Sequence, residues 1–366
     1  MNFDHRHYVP LLRWKQGEYL GVSQLPDTTK QALTPLIEIP PKGYDFEEKR
    51  EKKTIDKHLK PVAKRVYKKW GNSPCFIDLS LIESAERMET GIHPVSFVFD
   101  ELREMKCPGI PVTGLNRDAE YQSAIRTASA NDKSGVCLRV TIDQAAKSSF
   151  KKDADSLLST LGFQPSDSDL ILDLGAPNFV PLGGFVMTIQ AIVTKLPYLN
   201  NWRTFTIVGT SFPETMAGIK IGGEVVPRYE WRLYKILVAS FRELGLRLPS
   251  FGDNAISHPR IIDMDMRIVK PNATIKFTID DGWYIMKGRN VRDYGYEQFH
   301  ELSKQVLASR HYRDSTFSWG KEYIRECANR SAKRGNLTKW VQVGTNHHIE
   351  KVVKDIANFY ASVSTR

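Results

Sequence analysis

Eight short apolar runs punctuate the first two-thirds of the chain, each followed by polar, helix-permissive sequence. They are Tyr8 to Trp14, Thr34 to Ile39, Cys75 to Leu79, Ile110 to Leu115, Val136 to Thr141, Asp169 to Leu174, Thr204 to Thr210 and Arg247 to Gly252. Successive runs start 26 to 43 residues apart, room for a strand and its crossover helix. They are continuous instead of alternating, as strands covered on both faces are. Between them, Phe46 to Lys69 reads as one long charged helix and Val95 to Met105 as an amphipathic one. Glu230 to Leu244 carries Trp231, Tyr234, Leu237, Val238 and Phe241 at helical spacing. Eight such repeats over residues 1–260 predict an α/β fold, a (β/α)8 TIM-like barrel, with a doubly wound open sheet as the competing arrangement.

After Asp253 the rhythm changes, which predicts a C-terminal α+β extension over residues 261–366. Ile261 to Lys270 alternates, and Thr274 to Lys287 reads as a hairpin across Asp280-Asp281-Gly282. Helices follow over Gly295 to Ser309, Lys321 to Arg330 and His347 to Ser362. The last of these either belongs to a separate unit or returns to close the barrel, and both arrangements stay open.

In a barrel, chemistry belongs at the carboxyl ends of the strands. There Glu38, Asp78 and Asp173 share one pattern, two apolar residues, a carboxylate and another apolar residue, and Arg139 stands in the equivalent place on strand five. Lys15 follows strand one, Asn116 strand four and Asp253 strand eight, while Arg228 and Glu230 open the helix after strand seven. Glu38, Asp78, Asp173 and Asp253 are expected to approach one another, and buried carboxylates that close need a cation or a shared proton. Two solutions are open. The carboxylates, Glu38, Asp78 and Asp173 foremost, bind Mg²⁺ or Mn²⁺ as a catalytic metal. Alternatively Lys15, Arg139 and Arg228, with Asn116, neutralise them or hold substrate phosphate, leaving a carboxylate as general acid or base. A structural salt-bridge plug is the plain competitor to both.

His258, close to Asp253 in sequence, ranks first among the histidines for proton transfer. His347 and His348 are adjacent, so a helix points them about 100° apart. That suits packing better than chelation, with Thr345 or Asn346 as a helix cap. Gly183-Gly184 and Gly222-Gly223 read as loop hinges or turns, since no phosphate-loop or dinucleotide fingerprint accompanies them.

Charge adds a partner. The 366 residues hold 52 Lys and Arg against 42 Asp and Glu, a net +10, which permits an anionic partner, nucleic acid or nucleotide. Lys42 to Lys69 is basic in the manner of a solvated helix face. In Lys321 to Trp340, Arg330, Lys333, Arg334 and Asn336 form a probable loop beside Tyr323 and Trp340, suited to phosphate contact and base stacking. No run reaches the roughly 18 apolar residues of a membrane span, and four scattered cysteines without a CxxC fit a cytoplasmic protein.

The opening YVPLLRWKQGEYLG…LTPLIEIPP and the closing GNLTKWVQVGTNHHIEKV resemble the phage and bacterial beta protein family. The resemblance spans nearly the whole chain. It implies a prokaryotic or phage cytoplasmic setting and a part in phage–host conflict. Lys15, Glu38, Asn336, Trp340, His347 and His348 fall inside the matching motifs, and the resemblance gives none of them a catalytic role. Two functions are therefore expected to compete. One is a phage-linked or phage-defence barrel enzyme on a phosphorylated substrate, a metal-dependent phosphodiesterase or nuclease-like hydrolase. The other is a non-catalytic sensor or adaptor that binds nucleic acid or a phage protein through the basic extension.

Overall fold

All eight apolar runs form strands, at Tyr8–Leu12, Leu36–Glu38, Cys75–Asp78, Gly109–Thr113, Val136–Thr141, Ser168–Asp173, Thr204–Val208 and Ser250–Asp253. The computed structural model describes residues 3–261, 268–313 and 317–364. Strand one pairs in parallel with strand eight (Tyr8 opposite Phe251) and with strand two (Leu11 opposite Leu36). The sheet is therefore a closed eight-stranded parallel barrel, not an open doubly wound one.

Strand side chains alternate between two faces, and here the faces are two separate cores. Val9, Leu11, Leu36, Phe76, Ile110, Val112, Cys137, Ile171 and Val208 fill the interior. Their neighbours Leu12, Ile37, Ile77, Leu138, Leu172 and Phe251 join the larger outer core beneath the helices. This parity decides where each strand-end charge goes. At the opposite end of the barrel Arg203 Nη2 lies 2.6 Å from Asp169 Oδ2, with Thr204 Oγ1 donating to the same carboxylate at 2.7 Å, which closes the floor.

Three local expectations need correcting. Phe46 to Lys69 is not one helix. Tyr44–Asp45 pairs with Arg50–Glu51 as a short hairpin, and two helices follow, Ile55–Leu59 and Val62–Lys69. Pro61 separates them because it cannot donate the next helical hydrogen bond. Gly222-Gly223 is not a hinge but the start of strand Gly222–Pro227, which pairs antiparallel with Gly282–Asn290; that strand's other neighbour is Asn272–Ile279. The extension's sheet thus borrows a strand from the loop after barrel strand seven. Gly183-Gly184 lies inside helix Leu182–Thr194. The 274–287 hairpin forms as expected, whereas residues 262–267 of the alternating run lie outside the described residues.

The terminal helix, Leu337–Ser364, begins ten residues before His347. Its cap is Asn336, whose Oδ1 accepts the Lys339 N–H at 2.9 Å. Thr345 and Asn346 are therefore not caps; both are buried in mid-helix. The helix is about 42 Å long and serves two cores. Trp340 and Val343 pack with Phe277, Phe299 and Ile324 of the extension. Ile349, Val352, Ile356 and Tyr360 pack on the outer face of the barrel, and Tyr360 meets Tyr234, hydroxyl to hydroxyl, at 2.7 Å. Helix Gln16–Val22 lies against it with Gly17 and Gly21 at the contact; a Cβ on Gly21 would sit 2.9 Å from the Gln342 carbonyl oxygen. Among the described residues no helix is long and apolar enough to cross a membrane.

Candidate functional site

Because Leu36, Phe76, Cys137 and Ile171 face the barrel interior, so do the residues two positions on: Glu38, Asp78, Arg139 and Asp173. They meet at the mouth. The Arg139 guanidinium donates to Glu38 Oε1 and Asp78 Oδ2 at 2.8 Å each, and its Nη2 lies 2.6 Å from Asp173 Oδ2. Three strands thus aim carboxylates at one cation carried by a fourth. The acids outnumber the one guanidinium they share, and they hold it charged.

The second oxygens of the three acids differ. Asp78 Oδ1 accepts the Ser80 N–H and Asp173 Oδ1 the Gly175 N–H, each at 2.8 Å. Glu38 Oε2 has no such bond among the described residues; its nearest cation is Arg13 Nε at 3.7 Å. Burial pushes the Glu38 carboxyl up, and the Asp78 charge adds to this against the pull of Arg139 and Arg13. Of the three carboxyls, Glu38 is therefore the most loosely held, and burial raises it above its ordinary value.

Mg²⁺ or Mn²⁺ fits this arrangement poorly. Glu38 Oε1, Asp78 Oδ2 and Asp173 Oδ2, the oxygens that would ligate it, already converge on the guanidinium. A divalent ion would have to displace Arg139, and among the described residues no other cluster offers three ligands.

Asp253 does not join the group, contrary to expectation. It shares the parity of Phe251 and points outward between the barrel and the helices. There Tyr8 donates to its Oδ1 at 2.5 Å and His348 Nε2 lies 2.9 Å from its Oδ2. Trp283 Nε1, which can only donate, lies 3.4 Å from His348 Nδ1. This fixes the neutral tautomer with its proton on Nε2, and burial keeps the imidazole neutral. Burial alone would push Asp253 up, but the bonds from His348 and Tyr8 and the nearby Arg228 charge outweigh it and hold the carboxyl low.

Arg228 is likewise not at the mouth. It is fully buried in this outer cluster, 3.1 Å from Asp355, 3.6 Å from Glu230 and 3.9 Å from Asp253. No substrate phosphate reaches it there. His347, 1 % exposed, stacks on Phe277 and donates from Nε2 to the Thr278 carbonyl at 2.9 Å.

Glu230 accepts the Ser211 N–H at 3.0 Å and hydroxyl at 2.6 Å. Burial still dominates, pushing its carboxyl up to about 7 despite Arg228. The fold favours the protonated acid, so this stability is complete below the usual value of 4.5 and is lost as pH rises through about 7. The loss is of order 3 kcal/mol. Glu350, also raised to about 7 by burial, acts in the same direction. Urea unfolding is expected to show stability declining between about pH 5 and 8, and Glu230→Gln to remove about half of that decline, Glu350 keeping the rest. An unchanged pH slope in the variant contradicts the assignment.

The remaining expected residues are dispersed. Lys15 and Asn116 are exposed at strand ends around the mouth. His258 is not paired with Asp253; its Nδ1 accepts the Arg260 N–H at 3.1 Å. Arg330, Lys333, Arg334 and Asn336 are exposed and line a groove of about 820 Å³ on the extension, with Tyr323 and Lys339. Trp340 is not available for base stacking. It is 3 % exposed, stacked on Phe299, and donates from Nε1 to the Arg334 carbonyl.

Two residues at the mouth escape a carboxylate-led search. Arg13 lies above Glu38 and is tethered to the Pro259 carbonyl; Arg117 Nη2 reaches to 3.9 Å from Asp78 Oδ1. Leu11-Leu12-Arg13-Trp14 repeats the two-apolar, one-charged, one-apolar pattern of the other strand ends, which marks Arg13 as the inward-facing charge of strand one beside the exposed Lys15. Arg117 stands in a loop and carries no such signal.

A family model described as Beta protein matches residues 8–354. Protein beta of Enterobacteria phage P4 is 22% identical, over 96% of this chain and 94% of that protein.

Proposed function

Since the chain belongs to the Beta protein family over nearly its full length, we propose that its function resides in the barrel mouth, as an acid–base centre acting on a phosphorylated substrate, nucleic acid or nucleotide. The observation that carries this reading is Glu38: a buried carboxyl raised above its usual range, fixed through one oxygen by Arg139, with its other oxygen loosely held beside Arg13. In phosphoester hydrolysis water attacks phosphorus, the bond to the leaving oxygen breaks, and Glu38 delivers its proton to that oxygen; the attacking water's proton is released to solvent, from which Glu38 is reprotonated. Arg139 positions the acid and has no capacity left for phosphate. Arg13, Arg117 and Lys15 supply the positive charge facing the substrate. Arg139 occupies the place a divalent ion would take, so turnover is expected to survive chelation. The phage relative supports a phage-linked setting, and a cytoplasmic part in phage defence is proposed with it.

A sensor or adaptor is favoured by one separate observation. The extension groove gathers Arg330, Lys333, Arg334 and Lys339, and the Arg330 and Lys333 head groups have no acceptor among the described residues. Such a groove suits phosphate-backbone contact. The deciding experiment incubates the protein and its Lys333→Glu/Arg334→Glu variant with labelled DNA, RNA and nucleotides, each with Mg²⁺, Mn²⁺ or chelator. The mouth reading expects product in all three conditions, with the groove variant weakened in binding but still active. Retention of nucleic acid without product, abolished in the groove variant, transfers the function to the extension.

A further inference from the structure

Beside the mouth a second cavity, of about 500 Å³, opens between the loop after strand four and helix Phe150–Leu161. Its polar wall is cationic: Arg117, Arg126 and Lys147, with the Asn116 amide. Asp153, its one acidic wall residue, is engaged by the Ser149 hydroxyl at 2.8 Å. The Arg126, Lys147 and Asn116 side chains make no hydrogen bond or ion pair among the described residues, and Arg117 Nε is buried without an acceptor. Three exposed side chains therefore offer unused donors around one space of ligand size, with Arg117 beside them. Leu115 and Leu157 give the cavity an apolar side, against which a sugar or base can lie while an anion takes the cations. Arg117 belongs to both places, lining the cavity and standing 3.9 Å from Asp78 at the mouth.

We propose that this cavity binds a nucleotide, its phosphate held by Arg117, Arg126 and Lys147 and its nucleoside lying on Leu115 and Leu157. The inference deepens the phosphorylated-substrate reading of the mouth and rests on it for the link to turnover, though not for binding. Equilibrium dialysis with adenosine monophosphate and with inorganic phosphate tests it on the full chain. The wild type is expected to bind both saturably, the nucleotide more tightly because the leucines cover its nucleoside. Arg126→Glu/Lys147→Glu is expected to weaken nucleotide binding by about tenfold or more. Both residues are exposed, so the fold should persist; Arg126→Gln/Lys147→Gln replaces the pair if the melting temperature falls. Equal binding by wild type and variant, equal affinity for phosphate and nucleotide, or no saturable binding by the wild type each overturns the proposal. Glu38→Gln separates the two readings: unchanged nucleotide binding with turnover lost supports both. Intact binding by a wild type that converts no substrate keeps the cavity and removes the acid–base centre.

Discussion

Replacing Arg228 by methionine is expected to lower the stability of the fold by about 3–5 kcal/mol at neutral pH. The guanidinium is completely buried, and Asp355, Glu230 and Asp253 surround it at 3.1 to 3.9 Å. Two of these acids are held in place, Asp253 by Tyr8 and His348 and Glu230 by Ser211. Methionine fills much of the volume but leaves those carboxylates facing one another in a medium of low dielectric. The pH dependence distinguishes this from a packing defect. Without Arg228 the carboxyls rise further above their unfolded values, so their protonated forms stabilise the variant, and that gain disappears as pH rises through the new folded values. The deficit relative to wild type should therefore shrink from about pH 8 to about pH 5. Urea titrations at both values measure it. A deficit under about 1 kcal/mol, or one independent of pH, contradicts the buried-charge account.

Glu38→Gln carries the largest expected effect on activity. The amide keeps the shape of the acid, and its oxygen can still accept from Arg139. Arg139 keeps Asp78 and Asp173 as ion-pair partners after the exchange, so the fold is expected to persist. What the amide loses is the exchangeable proton. General acid–base groups contribute about 10²–10⁴ in rate, and a drop of that order is expected with substrate binding retained. Arg139→Lys is the wrong control here, since an ammonium cannot reproduce a planar fork that meets three carboxylates at once.

Much of this was legible in the sequence for a simple reason. A buried parallel strand must be apolar, so a lone charge in Leu36-Ile37-Glu38-Ile39 or Cys137-Leu138-Arg139-Val140 stands out, and its period from the strand's end sets its direction. The cluster of Glu38, Asp78, Arg139 and Asp173 follows from that. Asp253 broke the pattern because its strand, Ser250–Asp253, puts glycine at the inward position before it, and only pairing of Pro10 with Asp253 reveals the parity. Arg228 and Glu230 were visible as charges opening a helix, but Asp355, the acid nearest Arg228, comes from a helix more than a hundred residues away. Trp340 misled for the opposite reason. An aromatic residue among basic ones suggests stacking on bases, whereas here the helix cap at Asn336 turns the indole into the extension's core. The strand at Gly222–Pro227 was hidden because its stability comes from pairing with a hairpin some sixty residues further on, not from its own composition.

The most direct test of the central claim is turnover per folded molecule for wild type and Glu38→Gln, measured on the same samples as their melting curves and in the presence of chelator. The account predicts coincident melting transitions, conversion of a phosphorylated substrate by the wild type, and loss of about a hundredfold or more in the variant. Equal turnover by the two proteins, with melting unchanged, would contradict a catalytic role for the barrel mouth.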